Sequence, residues 1–516
     1  MKRIYSLLLI GFLFFVSCDE QLEPFTPGAL TESLAFTRTS DLTRMLNSSM
    51  QNMTNREEYA FTSVFTDEVG MGFNNGGQGL RLEYVFLLRP IDFGPTQIYG
   101  TSYAALARLN RVIANAPKIV AVDAADTQLI NRITAEALVL RAICHIKILS
   151  YFSPDPKNNA ALAGVLADRI ITTSETPQRA TNGAFYASIH ADLDQAISIF
   201  ATNTATAYSV ANRTFYPSRN LALAMKARAY MLKGDYPNAE TFANQVISTS
   251  GIALANTQAE YSAVFHTPNE TTGKETIFRL RRTNIQNTQG SNLHNAYASV
   301  TNRRNGSPFY EVSRSLFNIL DASPADYRRS TIVNLTPGAT GSLIDPNYAT
   351  SPDVKNSDII VLHKHGGQNA LTSGNSYNPD FPVSRISEMY FIRAEARVAA
   401  GDLPGAGAAL KIILDARFPT AQPAPVFGSA QAAWKGILAE RRKELAYEGF
   451  RFIDLKRLGV LAGASLDRDP SDYASSAWNL PGANPANLPM TSYKFALPIP
   501  QDEINANAGI QQNPGY

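Results

Sequence analysis

The sequence predicts a mainly α protein: a scaffold of antiparallel helix hairpins carrying a loop-rich face and a few short β-strands. Three observations carry that prediction. Amphipathic segments with apolar residues at helical spacing recur along both halves of the 516-residue chain. Two pairs of these segments repeat the same turn chemistry. Strand-like runs are confined to short pieces: TIFRL at 276–280, DIIVL at 358–362 and YKFALPIP at 493–500.

At the start of the chain, MKR precedes IYSLLLIGFLFFV and then Ser17-Cys18. A basic start, an apolar run too short to span a bilayer and a cysteine after a small residue read as an export signal over 1–17. FVSC is similar to a bacterial lipobox, in which Cys18 becomes the acylated first residue of the mature chain. Each buried methylene of an acyl chain contributes ~0.8 kcal/mol, so several chains together hold a protein firmly to a membrane. Asp19 and Glu20 resemble the signal that sends some lipoproteins to the outer face of the outer membrane. Removal of Lys2 and Arg3 with the signal leaves 44 basic against 44 acidic side chains. Such a neutral surface gives no footing for nucleic acid. The other cysteine, Cys144, lies in EALVLRAICHIKILSYF and reads as a packed core thiol.

The helical pattern then covers 101–116, 127–152, 183–200, 219–233, 236–249, 385–400, 403–417 and 431–447. Residues 222–247 and 388–414 repeat one another. Each has a helix rich in small residues, then Gly-Asp, then Tyr236 or Leu403 followed by proline, and an alanine three residues on. Gly234 and Gly401 stand where a helix must end and reverse, which favours φ > 0. Ala229, Ala239, Ala396 and Ala406 allow close approach of paired helices. This is the pattern of a tetratricopeptide-like hairpin, and the helices at 101–152 and 183–200 extend the set to about four units.

LAERRKELAYEGFRFIDLKRLG, residues 438–459, concentrates charge in a chain only 17% charged. On a helix from Trp434 to Tyr447, residues Trp434, Ile437, Leu438, Arg441 and Leu445 share one side. Local pairs Arg441 with Glu444, Glu448 with Arg451 and Arg451 with Asp454 are expected at helical spacing, contributing ~0.3 kcal/mol each when solvated. Glu440, Glu444 and Glu448 line up as a carboxylate set, yet each has Arg or Lys beside it. That keeps them ionised and marks the stretch as scaffold instead of catalyst.

The segments FVSCDE, AEALVLRAICHIKILSYFSPD, PSRNLALAMKARAYMLKGDYPNAETFANQVI, KETIFRLRR, SRISEMYFIRAEARVAAGDLPGAGAALKIILDAR, ILAERRKELAYEGFRFIDLKRLG and LPIPQDEINANAGIQQNPGY occur in this order. Together they resemble the SusD/RagB family of outer-membrane nutrient-binding lipoproteins. The family's Gly-rich continuation after the first-third segment is replaced here by SPDPKNNAAL. The resemblance implies a SusD-like N-terminal part at 18–250 and a C-terminal part at 270–516, packed as one unit. It also implies capture of an oligosaccharide or peptide at the cell exterior and delivery to a SusC-like TonB-dependent outer-membrane transporter.

No Gly-x-Ser-x-Gly, phosphate-loop or His-Glu-x-x-His motif is present, and no cofactor or catalytic residue is expected. GMGFNNGGQG at 70–79 reads as a mobile surface loop. His363 and His365 in LHKHGG read as a solvated strand end; a metal would need further ligands. Asp67 and Glu68 are adjacent and diverge, against the opposed carboxylates of a glycoside hydrolase. Ligand contacts are expected in the loops 66–84, 292–310 and 366–381, because aromatic faces stack on sugar C–H surfaces while Asn and Arg satisfy hydroxyls. The candidates are Phe73, Asn74, Asn75, Arg81, Tyr297, Arg303, Arg304 and Tyr377. With two tryptophans in the chain, a peptide or small oligosaccharide fits better than a large flat glycan. The other reading is a tetratricopeptide-type envelope adaptor that binds no nutrient.

Overall fold

The structure is a computed structural model that describes residues 35–53, 56–72, 75, 79–209, 212–266, 274–281, 310–338, 341–365, 380–474 and 480–516. In chain order the main helices are α1 (Thr39–Met53), α2 (Arg56–Phe65), α3 (Phe93–Asn115), α4 (Ala124–Phe152), α5 (Asn182–Thr202), α6 (Arg219–Lys233), α7 (Tyr236–Thr249), α8 (Gln258–His266), α9 (Arg314–Asp321), α10 (Tyr327–Ile332), α11 (Ile386–Ala399), α12 (Leu403–Arg417), α13 (Ala430–Glu444), α14 (Arg451–Leu458) and α15 (Gln501–Ala506). The strands are β1 (Val69–Met71), β2 (Leu162–Val165), β3 (Arg179–Thr181), β4 (Thr276–Leu280), β5 (Tyr310–Val312), β6 (Phe381–Arg385), β7 (Leu466–Asp467) and β8 (Asn487–Leu488).

Helices α3, α4, α5, α6 and α7 each pack against the next, and the stack resumes with α11, α12 and α13. Helix α7 packs directly on α11, so the chain between them leaves the stack and returns to it. The repeated turn explains both hairpins. Gly234 and Gly401 have φ of 81° and 79°, the left-handed conformation that a side chain would strain. Asp235 and Asp402 then accept hydrogen bonds from Asn238 N and Gly405 N, capping α7 and α12, and a proline fills the first turn of each. Ala229, Ala239, Ala396 and Ala406 are buried where these helices meet. Arg141 of α4 holds α5 through a two-pronged pair with Asp192 at 2.8 and 2.6 Å. Cys144 is buried in α4, and burial pushes its thiol up to about 12.

Among the described residues the four sheets are antiparallel pairs: β1 with β5, β2 with β3, β4 with β6 and β7 with β8. Of the three expected strands, only 276–280 forms one. Residues 359–362 are buried but build no ladder, because their backbone partners come from different segments. Ile359 bonds Leu343, Ile360 bonds Val312, Val361 bonds Asn334 and Leu362 bridges Val333. Residues 493–495 form a 3-10 turn capped by Ser492. Beyond them Pro498 and Pro500 carry no N–H for a ladder.

The charged stretch forms an ionic core, and its local pairing is corrected. Helix α13 ends at Glu444, and the chain reverses through Tyr447 and Gly449 at φ 62° and 83°. Glu444 accepts from Arg417 Nε and Nη2, both at 2.8 Å, and from Arg385 Nη1 at 2.9 Å. Glu448 accepts from Lys364 at 2.7 Å and from two nitrogens of Arg385 at 2.8 Å. Glu275 accepts from Arg417 and Arg385 at 2.8 and 3.2 Å. Arg441 turns to Asp454 at 2.8 Å, and Arg451 to Asp67 at 2.7 and 2.6 Å. The expected spacing pairs lose to these distant partners because Arg441, Glu444, Glu448, Arg451 and Asp454 are all buried, where a charge must find the best-matched opposite charge. Burial pushes the Glu444 carboxyl up, but the guanidiniums of Arg417, Arg385 and Arg328 more than reverse this and hold it well below the usual range.

The two histidines are not solvated. His365 is buried, with a ring nitrogen 2.8 Å from Tyr447 O, and the half-buried His363 packs edge-on against His266 at 4.4 Å. Among the described residues, no group of three or more His, Cys, Asp or Glu is placed to hold a metal ion. No described helix is long and apolar enough to cross a membrane.

Candidate ligand-binding cleft

The short β1–β5 ladder decides where the loops meet. Met71 pairs with Tyr310 and Val69 with Val312, so the first candidate loop, 66–84, and the end of the second, 292–310, are joined although about 240 residues apart in the chain. The portion 69–71 is therefore a buried strand and not part of a mobile surface loop. After it, a helical turn at Arg81–Tyr84 faces the start of α2 and the segment Ile91–Phe93 that opens α3.

These pieces enclose a cleft of about 450 Å³ whose lining includes Arg56, Glu57, Arg81, Glu83, Phe93 and Tyr310, along with Gly79, Leu80, Ile91 and Asp92. Phe93 and Ile91 stay 51% and 63% exposed, which is unusual for apolar side chains of that size in a well-packed chain. Tyr310 is buried, and its hydroxyl oxygen accepts from Leu80 N at 3.0 Å. Gly79 has φ 71°, and a Cβ there would lie 2.3 Å from that hydroxyl, so the wall closes tightly only with glycine.

Charges in the cleft are of both signs. Arg56 pairs with Glu57 at 2.5 Å. Asp92 holds Arg89 through Nε and Nη2 at 3.0 and 2.8 Å. Burial pushes the Glu83 carboxyl up to about 7, and Gly94 N donates to it at 3.4 Å. An apolar face beside amide, guanidinium and carboxylate groups can stack on a sugar ring and bond its hydroxyls.

Of the residues expected from sequence, Arg81 lines this cleft, and Asn75 lies buried next to β1 with its N–H donating to Gly72 O at 3.0 Å. Cys18, Phe73, Asn74, Tyr297, Arg303, Arg304 and Tyr377 lie outside the described residues. The third loop, at its described end, goes elsewhere: Phe381 packs on Tyr59 at 5.2 Å and lines a separate cavity of about 90 Å³ inside the scaffold. Sequence reading missed Phe93, Ile91, Arg56 and Tyr310. The available signal was the PIDFGP segment, residues 90–95, where two large apolar residues flank the helix cap Asp92.

Residues 297–516 match the model of the SusD family. Across the whole of both chains the protein is 25% identical to SusD-like protein P2 of Formosa agariphila. Over residues 297–516 the chain is similar to the SusD family. Solved SusD structures share its fold. A SusD superfamily protein of Bacteroides thetaiotaomicron aligns with a TM-score of 0.74 at 22% identity, covering 93% of this chain and all of the other. A SusD-like carbohydrate binding protein of Bacteroides vulgatus aligns at 0.69 and 20% identity over 92% and 98% of the two chains. A laminarin binding SusD-like protein aligns at 0.67 and 21% identity over 93% and 100%. The mainly helical, tetratricopeptide-like scaffold expected from the sequence is thus the fold of a known family.

Proposed function

We propose that this chain is a SusD-family cell-surface lipoprotein that captures an oligosaccharide and delivers it to a SusC-like TonB-dependent outer-membrane transporter. The observation that carries the reading is the open cleft in which Phe93, Arg81 and Tyr310 converge on the β1–β5 ladder. The family match over residues 297–516 and the names of two similar structures, carbohydrate binding and laminarin binding, support a saccharide over a peptide. The mature chain would begin at the acylated Cys18, with parts 18–250 and 270–516 forming one unit. It would bind without catalysis, because the ordered carboxylates of the charged stretch are locked in ion pairs.

The test is titration of the mature chain with laminari-oligosaccharides and a panel of other neutral glycans. Phe93→Ala and Arg81→Ala should each weaken binding at least ~10-fold, the order expected for losing a stacking face or a charged hydrogen bond. Their melting temperatures should not move. Binding of a neutral glycan that both variants leave unchanged would place the ligand elsewhere. Co-purification of a large β-barrel, and palmitate labelling that Cys18→Ala abolishes, test delivery and anchoring.

A further inference from the structure

A second cleft of about 530 Å³ lies where α1 faces the 3-10 turn Arg213–Phe215 and the end of β4. It shares no lining residue with the cleft around Phe93. Arg44, Asn47 and Gln51 stand on one face of α1, at spacings of three and four residues, and all are exposed. Asn212, Tyr216 and Arg281 form the opposite wall.

The floor is prepared in detail. Phe215 is buried with the guanidiniums of Arg279 and Arg281 at 4.9 and 5.1 Å from its ring centre. Tyr216 stacks nearly parallel on Tyr208, 3.9 Å centre to centre and 7° apart, so its ring plane is set in advance. Arg279 is answered by Asp380 at 3.5 Å. Among the described residues Arg281 forms no salt bridge with a carboxylate; its Nη1 donates to Asn212 Oδ1 at 3.5 Å. Arg44 shares its charge with Asp41, one turn earlier in α1, at 3.1 Å.

Among the described residues no carboxylate lines this cleft, whereas the first is lined by Glu57, Glu83 and Asp92 as well as its arginines. We propose that the second cleft is an additional saccharide site selective for sugars carrying an acidic group, a uronate carboxylate or a sulfate ester. Arg281 takes the acidic group in a two-pronged hydrogen bond, for which the planar guanidinium is suited. Asn47, Gln51 and Asn212 bond neighbouring hydroxyls, and Tyr216 with Met50 supplies the apolar wall. The saccharide class is taken from the proposed function; the charge selectivity rests on this cleft alone.

The test titrates the mature chain with oligogalacturonate, with a sulfated dextran oligosaccharide and with neutral laminari-oligosaccharide. Variants are Arg281→Gln, Arg44→Gln and, for the first cleft, Phe93→Ala. At least one acidic probe should bind, more weakly as salt rises, with a loss of ~10-fold or more in Arg281→Gln and a smaller loss in Arg44→Gln. Phe93→Ala should leave that binding unchanged. Response to oligogalacturonate alone assigns a carboxylate, and response to the sulfated probe alone a sulfate ester. Binding of neither acidic probe, or acidic binding that Arg281→Gln spares, overturns the proposal. Loss of laminari-oligosaccharide binding in Phe93→Ala bears only on the first cleft, so the two readings fail separately.

Discussion

Glu444→Gln isolates the ionic core in one atom-for-atom change. The carboxylate accepts two hydrogen bonds from Arg417 and one from Arg385, all within 2.9 Å, and lies 3.5 Å from Arg328. An amide of the same shape keeps one acceptor but turns an NH2 toward guanidiniums that are themselves donors. Breaking a buried ion pair by removing one partner costs about 3–5 kcal/mol. Here the lower end applies, because the arginines retain Glu275, Glu448, Asp326 and Glu440. With an unfolding entropy of about 2.1 cal/mol/K per residue, a chain of this length loses stability at about 1 kcal/mol per kelvin, so the melting midpoint should fall by about 3 °C. Scanning calorimetry on the mature chain reads this directly. Lys411→Gln, which breaks the exposed pair with Asp415, should move it by less than about 0.5 °C. A double-mutant cycle with Arg417→Met should return a coupling of about 1–3 kcal/mol. A Glu444→Gln midpoint within 1 °C of wild type would show that the buried charges contribute no more than a surface pair.

Three further outcomes are expected. Burial pushes Glu68 up to about 7 despite the hydroxyl of Ser63 donating to it. A carboxyl raised in the folded state stabilises most below its ordinary pKa and loses that contribution as pH rises through 7. Glu68→Gln should therefore narrow the difference in unfolding free energy between pH 5 and pH 8, read by denaturant titration, by about 3 kcal/mol at most, and an unchanged difference would rule this out. Gly79→Ala, strained at φ 71° and directed at the Tyr310 hydroxyl, should cost about 1–2 kcal/mol and weaken glycan binding together, as read by melting and titration. Cys144, buried and held protonated, should resist iodoacetamide at pH 8 in the folded chain and react fully in urea; mass spectrometry counts the adduct.

The hairpins were legible because their signals are local: Gly234-Asp235 and Gly401-Asp402 fix the turn chemistry without reference to anything distant. Helix α2 was not, since eight of its ten residues are buried and a helix hidden on all sides shows no apolar stripe. The run 359–362 has the composition of a strand, but its partners are set by tertiary packing. The same divide runs through the site. Arg81 was within reach of a loop-composition argument. Phe93, Arg56 and Tyr310 become neighbours only through the β1–β5 pairing, which no spacing in the sequence encodes. The ion pairs of residues 438–459 failed for a related reason: helical spacing offers partners three residues away, and burial lets distant ones win.

That burial has a positional logic. The chain between α7 and α11 departs from the hairpin stack, and within it lie Tyr310, a wall of the first cleft, and Arg281, the centre of the second. Apolar packing alone would hold such an excursion but would tolerate sliding, since hydrophobic contact is non-directional. The ionic core fastens it at defined points. Arg328 of α10, Lys364 and Arg385 at the end of β6 converge on Glu440, Glu444 and Glu448 of the charged stretch, while Arg417 of α12 closes the set and Glu275 at the head of β4 joins it through Arg385 and Arg417. Each guanidinium donates its hydrogen bonds in its own plane, so a shift of the excursion by one residue would strand several buried charges at once. On this argument the density of charge in a weakly charged chain belongs to neither catalysis nor solubility. It sets the register between the excursion that bears the binding walls and the rigid stack beneath it, and a variant loosened at Glu444 should lose ligand affinity in both clefts although it touches neither.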